Sequence, residues 1–159
     1  MHHFADRLTA AVRRTKTPAL VGIDPRLANL PAPLQPNTES PSPEQVANAF
    51  VQFSKGIIDV VAPLVPAVKP QSAFFEQIGP AGTAALGQVI QYARSKGLVV
   101  ITDAKRNDIG STADAYAQAY LGPPDSTPFA SDCLTVSPYL GEDSLEPFVT
   151  IAQQNGNGI

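Results

Sequence analysis

Short apolar runs recur four times along the chain, and each ends in a polar residue or a proline. They are residues 19–23 before Asp24-Pro25, residues 67–70 ending in Lys69-Pro70, residues 98–102 before Asp103, and residues 132–138 ending in Ser137-Pro138. Continuous apolar runs of this length, bounded by breakers, predict strands buried on both faces. Between them the apolar spacing changes to three and four. Val46, Phe50, Phe53, Ile57 and Val61 form one such stripe. Leu86, Val89, Ile90 and Ala93 form another, and Leu145, Phe148, Val149 and Ala152 a third. These predict amphipathic helices. A further amphipathic segment opens the chain, with Phe4, Leu8, Ala11 and Val12 on one side, and ends before Thr17-Pro18. A helix-like run, residues 113–121, follows the third strand.

Local signals place the boundaries. Ser42-Pro43-Glu44-Gln45 reads as a helix start, with Ser42 at the N-cap, Pro43 at N1 and Gln45 at N3. Gly97 reads as the residue after a helix end. Residues 29–43 and 122–128 are Pro-rich and are expected to be loops without helix or sheet. Residues 71–76 are expected to turn the chain. The order βαβαβαβα predicts parallel strands joined by right-handed crossovers. Strand ends recur about every 35 residues after a longer first interval, which fits a (β/α)8 TIM barrel with polar groups at the C-terminal strand ends. A doubly wound sheet is the alternative, but no G-x-G-x-x-G turn follows the first strand. A barrel takes roughly 250 residues. The expectation is therefore a single domain over 1–159 that supplies about the first four βα units, with a fifth strand beginning near Ile159.

Composition narrows the chemistry. The net charge of -3 offers no basic surface for nucleic acid. No apolar run approaches the ~20 residues of a membrane span. The N-terminal residues, with Asp6 and Arg7 and no apolar h-region, do not read as a signal peptide. The lone Cys133 cannot form an internal disulfide, which fits a reducing cytoplasm, and its strand-like setting predicts a small core residue. No His or Cys lies near the acids, so no metal site is expected.

The densest chemistry is Asp103-Ala104-Lys105-Arg106-Asn107-Asp108-Ile109-Gly110-Ser111-Thr112, at the mouth of a strand-to-helix turn. Residues i and i+2 of a strand share a face, so Asp103 and Lys105 are expected on one side and Arg106 on the other. A structural ion pair followed by a helix N-cap at Ser111 or Thr112 is the plain alternative. Lys69 alone could be a strand-end cation paired with Glu76 or Asp24, and Asp24 alone could be a turn residue. Tyr116, Tyr120, Phe74 and Phe75 read as packing residues.

This stretch resembles the signature of the orotidine 5′-phosphate decarboxylase family, in its longer bacterial subgroup. Four other segments match in the same order: Phe4 to Leu8, Val21 to Arg26, Val68 to Glu76, and Ser137 to Pro147. Asn107 stands where the subgroup usually has Gly, so a positive φ is expected there. The resemblance implies decarboxylation of orotidine 5′-phosphate to uridine 5′-phosphate, the last step of de novo pyrimidine biosynthesis, with no metal and no organic cofactor. It implies catalytic roles for Lys105, Asp103, Asp108 and Lys69, with Lys105 donating a proton to C6. It implies substrate contacts from Asp24, Ile109 and Thr112. Asp108, Ile109 and Thr112 would reach across a homodimer interface into the partner's site. The family's later pyrimidine- and phosphate-holding residues have no counterpart in the 159 residues, so the isolated segment is expected to be inactive. Two other readings stand beside this one. The first is a related phosphosugar lyase or aldolase that uses a divalent metal. The second is a non-catalytic half-barrel that acts only in assembly.

Overall fold

The computed structural model describes residues 3–159. Met1 and His2, part of the start for which neither a signal peptide nor a metal ligand is expected, lie outside the described residues. Helix α1 (Phe4–Thr15) precedes strand β1 (Leu20–Ile23). Helix α2 (Pro43–Val61), strand β2 (Ala67–Pro70), a short helix α3 (Ser72–Glu76) and helix α4 (Pro80–Ser95) follow. The chain continues through β3 (Val99–Arg106), α5 (Gly110–Leu121), β4 (Cys133–Val136) and α6 (Glu142–Asn155).

All the strands are parallel, and their spatial order is β1-β2-β3-β4. That order separates the two candidate architectures. A doubly wound sheet reverses direction at a switch point, so its first strand lies inside the sheet. Here each strand adds beside its predecessor, as in a barrel wall. Beyond β4, Gly158 forms a parallel bridge with Cys133, and the Leu134 amide donates to the Gly158 carbonyl at 3.1 Å. Glycine is required at that position. A Cβ on Gly158 would sit 2.5 Å from Cδ1 of Phe4, whose ring closes the N-terminal end of the sheet.

The capping box at α2 forms as its sequence predicts. The Ser42 hydroxyl accepts from the Gln45 amide, and the Gln45 side chain accepts from the Ser42 amide. The buried face of α2 is rotated from the expected stripe. Ala47, Phe50, Val51, Ser54 and Ile58 are buried, while Phe53, Ile57 and Val61 flank them half-buried. Small residues take part in this face, Ala47 and Ser54 being buried with the larger side chains. Ser54 satisfies its own hydroxyl by donating to the Phe50 carbonyl at 2.6 Å. Phe50 meets Phe75 edge-to-face at 6.1 Å, within a core that includes Val68, Leu86, Val89, Ile90 and Val100. A second core lies under α5 and α6 around Leu121, Leu134 and Phe148.

Several boundaries differ from expectation. The first Pro-rich loop contains two 3-10 turns, Leu27–Asn29 and Ala32–Leu34. Such turns need only one local hydrogen bond each, and the fixed φ of proline suits them. Residues 72–76 form α3 rather than a simple turn, because Gln71 caps them with its side chain. Strand β3 runs to Arg106, four residues past Thr102, so Asp103, Lys105 and Arg106 stand on the strand and Asp108 follows in the turn. Lys105, with φ 48, takes the left-handed conformation expected at Asn107. Helix α5 is capped by Ile109 without a side-chain hydrogen bond, so Ser111 and Thr112 lie within its first turn and are not caps. In α6, Phe148 and Ala152 are buried, whereas Val149 faces solvent.

Candidate functional site

Strands β2, β3 and β4 bring their C-terminal ends together around one carboxylate. Asp103 is buried, and each of its oxygens is held from two directions. Oδ2 accepts from Lys69 Nζ at 2.5 Å and from Gln71 Nε2 at 3.0 Å. Oδ1 accepts from Lys105 Nζ at 2.5 Å and from Thr135 Oγ1 at 2.9 Å. The backbone carbonyl of Asp103 also accepts from the Ser72 hydroxyl at 3.3 Å. The register explains the convergence. Gln71 and Asp103 form a parallel bridge, and Ile101 pairs with Cys133, so Thr135 follows at the same offset as Asp103. Lys69 thus pairs with Asp103, and not with the Glu76 or Asp24 considered from sequence.

These contacts decide the charge of the site. Burial by itself pushes the Asp103 carboxyl upward. The hydrogen bonds from Lys105, Lys69 and Thr135, with the nearby Lys69 charge, outweigh it and hold the group at about 2, below the ordinary 3.8. Asp103 is therefore a fixed anion at any physiological pH. Two ammoniums on one carboxylate leave the trio with a net positive charge. The Lys105 side chain is 64% exposed, against 9% for Asp103. A reachable ammonium, fixed by a buried anion, can stabilise negative charge developing on a bound molecule and can deliver a proton to it.

The other expected residues stand around this array without joining it. Asp24 is exposed just past the end of β1 and makes no ion pair among the described residues. The Asp108 carboxylate accepts from the Ile109 amide at 2.8 Å and makes no ion pair with either lysine. Ile109 and Thr112 are exposed. Arg106 points away from Lys105, as alternation predicts. It pairs with Glu76, donates to the Tyr120 hydroxyl at 3.0 Å, and lies over the Tyr116 and Tyr120 rings at 5.4 and 5.3 Å. This tie braces β3 against α3 and α5 from the side opposite the site.

Gln71, Ser72 and Thr135 are the site residues that sequence reasoning missed. Gln71 lies two residues past Lys69, and Thr135 lies as far past Cys133 as Asp103 lies past Ile101. Matching offsets along neighbouring parallel strands is the signal that could have found them. Cys133 is buried at the start of β4. Burial, with Asp132 adding, pushes its thiol up to about 11 despite the backbone hydrogen bond at Leu134. Among the described residues no group of three or more His, Cys, Asp or Glu could hold a metal ion. No helix of the described residues is long and apolar enough to cross a membrane.

Comparison with known proteins adds sequence and structural relatives. The sequence profile of the Orotidine 5'-phosphate decarboxylase / HUMPS family matches residues 51–159. An orotidine 5′-phosphate decarboxylase of Rhodopirellula baltica is 58% identical over 161 residues, covering 100% of this chain and 53% of the relative. One from Nocardioides sp. is 44% identical over 156 residues, covering 98% and 53%. A Streptomyces avermitilis crystal structure described as an orotidine 5′-phosphate decarboxylase superposes with a TM-score of 0.82 at 40% identity, covering 99% of this chain and 52% of that one. The chain spans about half the length of these relatives.

Proposed function

From the premise that this chain belongs to the Orotidine 5'-phosphate decarboxylase / HUMPS family, we propose that it supplies the charged half of an orotidine 5′-phosphate decarboxylase site. The observation that carries the reading is the Lys69–Asp103–Lys105 array, with both ammoniums 2.5 Å from one buried carboxylate at the sheet's C-terminal edge. In the proposed reaction the C6–carboxylate bond breaks, CO2 leaves, and the electron pair remains on C6. The Lys105 ammonium stabilises that pair, gives C6 its proton, and is reprotonated from solvent. The fixed charge of Asp103 keeps Lys105 in place and opposes the substrate carboxylate until it departs. Catalysis is thus electrostatic preorganisation, present before substrate arrives.

Lys69 and Asp24 are assigned to the ribose, Lys69 as donor and Asp24 as acceptor. Asp108, Ile109 and Thr112 are assigned to the partner's site in a homodimer. This fits the exposure of Ile109 and Thr112, and the lack of any ion pair between Asp108 and the two lysines. The rest of the barrel is assigned the phosphate and pyrimidine contacts. A site lacking them loses the remote binding energy that aligns the reacting carbon, so the segment alone is expected to be inactive. The proposed setting is the cytoplasm.

The test is turnover of orotidine 5′-phosphate, followed by loss of the orotate absorbance. In the complete protein carrying this segment, Lys105→Ala should abolish turnover with the fold intact. Retained rate would remove Lys105 from its role, and robust turnover by the 159 residues alone would refute their inactivity. Mixing Lys105→Ala with Asp108→Ala subunits should restore up to about a quarter of the native rate, since half of the dimers are mixed and each carries one intact site. No recovery in dimers shown to exchange subunits would place Asp108 in its own site. Activity lost to a chelator would favour a metal-dependent phosphosugar lyase.

A further inference from the structure

Of the side chains around Asp103 that have no role in the reaction as proposed, Thr135 alone also bonds the Lys105 backbone. We propose that Thr135 is a positioning residue, whose hydroxyl fixes the Asp103 carboxylate and the Lys105 backbone relative to each other. The inference rests on the decarboxylase reading for its kinetic consequence, but its geometric basis is independent of it. Thr135 Oγ1 donates to Asp103 Oδ1 at 2.9 Å and accepts from the Lys105 amide at 3.0 Å. A hydroxyl has a single proton, so donation to the carboxylate leaves only a lone pair for the amide. The two bonds are mutually consistent and fix the direction of the O–H.

The reason for such a link lies in the backbone. The β3–β4 register is irregular between Thr102 and Arg106, and Lys105 is left-handed with φ 48. An irregularity of this kind takes an amide out of the ladder, and a non-glycine residue in that conformation is strained and needs support from its surroundings. The Thr135 hydroxyl receives the amide that the irregular ladder leaves without a strand partner. The same turn sends the Lys105 ammonium back over Asp103, to the oxygen that Thr135 also holds. One residue on β4 thereby sets both the anion and the backbone carrying the proton donor.

The test uses the complete protein with Thr135→Val, which keeps the β-branch but removes the hydroxyl, and with Thr135→Ser, which keeps the hydroxyl. Thr135→Val should lower kcat about 10- to 100-fold, the effect of losing a hydrogen bond to a charged group. KM should change less than about threefold, and Thr135→Ser should recover most of the rate. A carbon-13 titration of the Asp103 carboxyl should move upward in Thr135→Val and not in Thr135→Ser. A merely structural Thr135 would change thermal stability while leaving the Asp103 titration where it is. Thr135→Ala takes the same measurements if the valine variant does not fold. An unchanged Asp103 titration or an unchanged kcat in the hydroxyl-free variant overturns the proposal. A native protein without turnover overturns the decarboxylase reading instead, and the titration still decides the role of Thr135.

Discussion

Replacing Asp103 by Asn tests the electrostatic heart of this site. Asparagine is close in shape to a protonated aspartate, so the substitution removes the charge and little volume. The carboxyl stands at about 2 in the folded protein, against an ordinary 3.8. That difference corresponds to about 2 kcal/mol of folding free energy when the group is ionised. Lys69 is half-buried, but the Lys105 side chain is 64% exposed, so solvent screening lowers the value toward about 1 kcal/mol. The sign follows from the direction of the shift. A depressed folded value gives stability that is fully present above the unfolded value and is lost as pH falls through the folded one. The native protein should therefore exceed Asp103→Asn by about 1 to 2 kcal/mol at pH 7, and the gap should close between about pH 4 and pH 2. Denaturant unfolding of both proteins at pH 7, 5, 4 and 3 measures it. A gap below about 0.5 kcal/mol at pH 7, or one that stays constant down to pH 3, would refute the claim that the lysines and Thr135 hold Asp103 ionised.

Two further outcomes test the frame around the site. Gly158→Ala should destabilise the protein by about 1 to 3 kcal/mol, because its Cβ would sit 2.5 Å from the Phe4 ring, and Phe4→Leu in the same protein should relieve part of that loss; a neutral Gly158→Ala would mean that α1 does not close the sheet as described. Cys133, buried and with its thiol pushed up to about 11, should react with an aromatic disulfide reagent at pH 8 only on unfolding, so rapid labelling of the native protein would show that β4 is exposed.

Much of this protein can be read from its residues in order. Apolar runs ending in polar residues announce the parallel strands, and β2 and the first half of β3 are largely buried as expected; Leu20 and Gly22 of β1 are exposed instead, because β1 lies at the edge of the sheet. Ser42, Pro43 and Gln45 mark a helix start, since capping is a local event within a few residues. The expectation that Lys105 stands with Asp103 and Arg106 turns away agrees with the structure, although the left-handed backbone at Lys105, and not regular strand alternation, brings its ammonium to Asp103. The proposed roles of Lys105, Asp103, Asp108 and Lys69 come from the family resemblance of their segments, since residue spacing alone leaves them open to a plain ion pair.

What required the tertiary structure is everything that depends on how one strand is aligned with its neighbour. The partner of Lys69 is Asp103 rather than Glu76 or Asp24, because parallel register brings the ends of β2 and β3 together. Thr135 and Gln71 enter the site for the same reason, from strands whose sequences carry no charge at those positions. The left-handed residue is Lys105 and not Asn107, because the β3–β4 ladder slips before the turn begins. The buried face of α2 includes Ala47, Val51 and Ser54 in place of Phe53, Ile57 and Val61, because the packing of α2 in the folded chain, and not its own periodicity, selects which side is covered. Periodicity is a property of one segment and survives in the sequence. Register, close approach and the charge of a shared carboxylate are relations between segments, and only the folded chain sets them.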